Sequence, residues 1–92
     1  MFETHITIQP TIAWSPDRLA ALASQYAPEW HYSYIARDPV MGDKDFFYFN
    51  SHSEDLLKAI DIMLVMYYNL KTSGVKILRK KIECIIHDER YE

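Results

Sequence analysis

An α+β fold with four strands and two helices is what this 92-residue chain predicts. Three observations carry that prediction. Apolar and polar residues alternate with period two at the start of the chain. Two stretches combine helical spacing with helix-start residues. Aromatic or β-branched runs fill the remaining positions.

The elements follow in order. Phe2, Thr4, Ile6 and Ile8 alternate with Glu3, His5, Thr7 and Gln9, which marks a half-buried strand, and Pro10 ends the ladder. Ser15 is a good N-cap, Pro16 suits the first helical position, and Leu19, Leu22, Ala23 and Tyr26 lie on one face of a short helix closed by Pro28. Trp30 to Arg37 and Asp45 to Asn50 read as strands. Pro39 and Gly42 turn the chain between them, so the two form an antiparallel hairpin.

Ser51 and Glu54 make an S-x-x-E capping box that opens a long helix. Its apolar face carries Leu56, Leu57, Ile60, Met63, Leu64, Tyr67 and Tyr68, and Gly74 sits at the C′ position. Val75 to His87 reads as the last strand, with a bulge near Arg79 to Lys81 and a frayed tail. The order strand, helix, strand, strand, helix, strand is that of the ferredoxin-like βαββαβ arrangement. It forms one domain over residues 1–92, with both helices on one face of an antiparallel sheet. Strands 1 and 3 are then central, with strand 4 beside strand 1 and strand 2 beside strand 3.

The bulk numbers exclude several classes. A hydrophobic share of 49% and a charged share of 25% describe an ordinary globular chain. The net charge of -3 argues against nucleic acid as the main partner. One cysteine, no leader-like start and no apolar run near the roughly 20 residues of a membrane span point to a cytoplasmic protein without a membrane role.

The topology leaves one sheet face without helices, and the parity of the terminal strands directs Glu3, His5 and Thr7 to it from strand 1. Lys81, Glu83, Ile85 and His87 follow from strand 4. Glu3, His5, Thr7, Lys81 and Glu83 are therefore the candidate ligand-binding set for a small anionic or polar ligand. In an acid–base enzyme His5 would be the base, Lys81 the anion holder, Glu3 or Glu83 the group that orients the imidazole, and Thr7 a group that binds an oxygen. The plain alternative is a solvated face of cross-strand charge pairs.

Two resemblances bear on these residues. "HIT" at His5 to Thr7 resembles one of the two H-x-[ST] motifs of the 2H phosphoesterases, in which two histidines flank a phosphate. The nearest second motifs are "HYS" at His31 and "HSE" at His52. Glu3, Thr4, His5, Thr7, Arg79, Lys81 and Glu83 also match a pattern of small uncharacterised bacterial proteins. These begin with an E-T-H-[hydrophobic]-T strand and end with an R-x-K-[IV]-E strand. The group implies no activity, but it singles out the same residues.

Other readings rank lower. "DFFYFN" offers aromatics for an RNA platform but lacks the glycine and basic positions such platforms use. A metal site of His5, Glu83 and His87 has too few convergent ligands, so neither metal nor cofactor is expected. His52 is expected in the first turn of the long helix. Cys84, between Ile82 and Ile86, is expected to be a buried core thiol. Thirteen aromatic residues exceed what one core of this size absorbs. Tyr34 or Tyr48 on the open face, or Ile62, Val65 and Met66 on the long helix, would form an exposed apolar patch, so a homodimer is expected.

Overall fold

A computed structural model describes residues 1–26, 30–38, 42 and 44–85. Its elements run β1 (Phe2–Ile8), α1 (Pro16–Ala23), β2 (His31–Asp38), β3 (Lys44–Ser53), α2 (Leu56–Thr72) and β4 (Ile77–Cys84). A 3-10 turn over Ser24–Tyr26 follows α1. The architecture is α+β, a four-stranded sheet in the order β2-β3-β1-β4 whose neighbouring strands are all antiparallel. β4 therefore lies beside β1 and β2 beside β3, and the two ends of the chain meet in adjacent strands.

One core unites the layers. Ile6 and Ile8 of β1 and Phe47 and Phe49 of β3 pack with Leu19 and Ala23 of α1 and with Met63, Met66 and Leu70 of α2. Both helices thus cover the same face. The local signals at the start of α1 and the end of α2 hold. Ser15 caps α1 by accepting from the Arg18 amide. Gly74, at φ +83°, ends α2 in a Schellman motif: the Gly74 amide donates to Lys71 and the Val75 amide to Leu70. Val75 and Leu70 then enter the core together, which sets the rotation of α2 about its axis.

Several expectations are corrected. The Ser51–Glu54 capping box does not form, because β3 continues to Ser53 and keeps pairing with the first residues of β1. Ser51 lies opposite Thr4 beneath the helices, and Asp55 becomes the N-cap by accepting from the Leu57 amide at 2.9 Å. His52 is consequently a strand residue and not part of the helical first turn. The inward face of α2 is Ala59, Met63, Met66 and Leu70. Met66 is wholly buried and Ile62 packs against the core, so they are not an exposed flank; Val65 is exposed, as are Leu57, Leu64 and Tyr68.

Cys84 is exposed, not buried, since it sits at the far end of an edge strand. Tyr34 lies opposite Phe47, on the helix side of the sheet and not on the open face. The bulge on β4 falls at Leu78, between the residues opposite Ile8 and Thr7, one step earlier than expected. Pro28, Pro39, Ile86, His87 and the tail lie outside the described residues. Among the described residues no helix is long and apolar enough to cross a membrane.

Candidate functional site

Cross-strand register builds the open face as rows. The first row is Glu83, Glu3 and His52, on β4, β1 and β3. The second is Lys81, His5, Asn50 and His31, and the third is Arg79, Thr7, Tyr48 and Ser33. Directly opposed residues share a face, so eleven side chains from four strands stand together. Phe46 and Ile35 follow as an apolar border, with the Phe46 and Tyr48 rings 6.4 Å apart.

The centre of the face is a connected polar network. Glu3 bridges two imidazoles, with Oε1 2.9 Å from His5 Nε2 and Oε2 3.1 Å from His52 Nε2. On its other side His5 Nδ1 lies 2.7 Å from Asn50 Oδ1. The His5 and Glu3 side chains keep 22% and 19% of their exposure, so the network is half-withdrawn from water. Both nitrogens of His5 are engaged, which makes the ring a positioned element and not a free base.

Beside it, Lys81 and Glu83 form an ion pair along β4. The Lys81 ammonium, by hydrogen bond and then by charge, holds the Glu83 carboxyl below its ordinary value, and His5 and Arg79 add smaller contributions. That arrangement relieves the juxtaposition of two carboxylates, Glu3 and Glu83, in directly opposed positions. Thr7 shares the face but is buried between Tyr48 and Arg79.

All five residues picked from the sequence therefore come together. Sequence reasoning missed the strand role of His52, because the S-x-x-E pattern assigned Ser51 onward to a helix, and it left Asn50, the last residue of the expected strand, out of the candidate set. Extending the β3 alternation through Tyr48, Asn50 and His52 would have found both. His31 and Ser33 of "HYS" fall on the same face as His5 and Thr7 of "HIT", with β3 between them. Two strand spacings, about 9.6 Å, separate the paired motifs. One surface depression lies elsewhere, lined by Trp14, Arg18 and Leu22, and another is lined by Trp30, His31 and Tyr32, of which His31 also belongs to the second row. Among the described residues no group of three or more His, Cys, Asp or Glu is arranged to hold a metal ion.

Compared with protein-family models, with curated proteins and with solved structures, the chain finds no match.

Proposed function

We propose that the chain is a ferredoxin-like domain that self-associates. Its uncovered sheet face binds a small anionic or polar ligand through Glu3, His5, Thr7, Lys81 and Glu83. The observation that carries the binding reading is the Glu3 carboxylate shared between His5 and His52, with Asn50 holding the far side of His5. Ordering several polar side chains costs rotamer entropy. A network already ordered on a face without helices has met that cost before a ligand arrives, which is the preorganisation a binding site needs. Lys81 and Arg79 flank the network and supply charge for an anion.

The test is a thermal-shift screen of small anions, metabolites and metals on wild type and His5→Ala together. A ligand at 100 times its Kd adds about 2.7 kcal/mol, a rise on the order of 10 °C or more for a domain of this size. A compound that stabilises wild type and not the variant supports the site. If nothing in the panel shifts wild type while His5→Ala melts earlier, the network is scaffold.

One observation favours a second reading, an acid–base hydrolase of phosphodiester type. The H-x-T and H-x-S triplets share a face. In that reading His5 is the base and Lys81 holds the anion, and His5 must release either Glu3 or Asn50 to accept a proton. Turnover of a phosphodiester panel, lost in both His5→Ala and His31→Ala without a change in melting, would establish it. Absence of turnover in wild type would leave binding alone.

A further inference from the structure

The outer edge of β4 and one flank of α2 form a continuous surface that nothing among the described residues covers. β4 ends the sheet, and the Ile85 amide donates inward to the Met1 carbonyl at 2.8 Å. By antiparallel alternation Lys81 and Glu83 also turn their backbone groups toward β1. Lys80, Ile82 and Cys84 turn theirs outward, with no strand partner among the described residues. Above this edge stands α2. Tyr67 locates the flank of the helix that overlooks β4, because its ring centroid is 3.6 Å from the Lys80 ammonium. At 100° per residue, Leu56, Ile60, Leu64 and Tyr67 fall on that flank, with Leu57 and Tyr68 at its crest. Leu64 is 52% exposed and Tyr68 68%.

We propose that a second copy of this chain occupies the surface, pairing β4 with β4 about a two-fold axis at Ile82. The pairing continues the sheet to eight strands and brings the two α2 flanks together. This inference rests on the self-association proposed above and names the face that carries it.

Charge selects the register. Outward backbone groups at even positions allow two-fold centres at residues 80 to 83. A centre at 80 opposes Lys80 to itself and Arg79 to Lys81, a centre at 81 opposes Lys81 to itself, and a centre at 83 opposes Glu83 to itself. A centre at Ile82 sets each Lys81 opposite the Glu83 of the other copy, so both charges on the open face are matched twice. The two Ile82 residues then exchange amide and carbonyl as a hydrogen-bonded pair, with their side chains under the helices. Lysines on an edge strand ordinarily discourage such pairing. Here the Lys80 charge is folded back onto Tyr67.

The helices fit the same axis. α2 packs on β3, β1 and β4, which centres it near β1, so the two copies stand about three strand spacings apart, about 14 Å. That separation exceeds direct helix packing at about 8–10 Å, so the leucine and tyrosine side chains of the two flanks make the contact. Tyr67 lies over Lys80. Moving about 6.6 Å along β4 to Ile82 corresponds to about four residues back along α2. The axis therefore crosses the helix close to Met63 and Leu64, the middle of the exposed flank. Lys71 at one end then approaches the Asp55 carboxylate at the start of the other copy's helix. The edge and the flank also match in length, at about 26 Å for eight strand residues and about 25 Å for seventeen helical ones.

Light scattering across 1–100 µM tests this on wild type, Leu64→Glu and Ile82→Pro, with a short bis-maleimide cross-link of Ile82→Cys in a Cys84→Ser background. The proline removes an amide that faces outward, so the monomer keeps its ladder, and circular dichroism checks each variant's fold. The expected result is twice the monomer mass for wild type and the monomer mass for both variants. Cross-linking should occur at residue 82 and not at exposed Ile12→Cys. A monomeric wild type overturns the interface together with self-association. A dimer that survives both substitutions leaves self-association standing and overturns this face.

Discussion

Thr4 and Ser51 stand opposite each other beneath the helices, both 1% exposed, and they are expected to respond to substitution with opposite signs. The Thr4 hydroxyl donates to the Ser51 carbonyl at 3.2 Å. The Ser51 hydroxyl has no hydrogen-bond partner among the described residues. A satisfied intramolecular hydrogen bond contributes about 0.5–1.5 kcal/mol net, whereas a buried group without a partner costs about 1–3 kcal/mol of desolvation. Thr4→Val keeps the shape and loses the bond, so it should destabilise by about 1 kcal/mol. Ser51→Ala removes the orphaned oxygen and leaves a void of only one atom, so it should stabilise by about 1 kcal/mol. In a domain this size each kcal/mol moves Tm by roughly 4–8 °C. Urea unfolding at one fixed protein concentration reads both, as opposite displacements of the midpoint at constant slope. Because the Thr4 bond goes to the Ser51 backbone, the double variant should be additive within about 0.5 kcal/mol. A Ser51→Ala protein less stable than wild type, or strong coupling in the double variant, would refute the reasoning, since either means that the hydroxyl has a partner.

Three further outcomes are expected. Gly74→Ala should cost about 1–2 kcal/mol in thermal unfolding purely from the positive φ, because a Cβ there meets nothing within 4 Å. Leu70→Ala, in the core where the Schellman motif closes, should cost about 2–5 kcal/mol, and a loss below 1 kcal/mol would mean that the site collapses on the void. The Glu83 carboxyl, depressed by Lys81, adds stability that is present above its unfolded pKa and lost as pH falls through its lowered folded value. In Lys81→Met its titration, followed by NMR, should move back up toward the ordinary carboxylate range, and an unchanged midpoint would remove Lys81 as the cause.

Local chemistry is what the sequence determined by itself. The alternation from Phe2 to Ile8, the Ser15–Pro16 helix start and the glycine at position 74 act through neighbours in the chain, and each stands where periodicity and capping put it. The parity of β1 and β4 was legible for the same reason, so Glu3, His5, Thr7, Lys81 and Glu83 were placed on one face from the sequence. Tertiary pairing decided the rest. The S-x-x-E pattern is a valid local helix start, but β1 offered Ser51 to Ser53 a full ladder, and His52 thereby came within reach of Glu3, 49 residues away. Cys84 follows Ile82 in pattern, yet its exposure depends on where the cover of α2 ends above an edge strand. Which stripe of α2 turns inward depended on Leu70 and Val75 entering the core together, since two apolar stripes were present and periodicity weighs them alike.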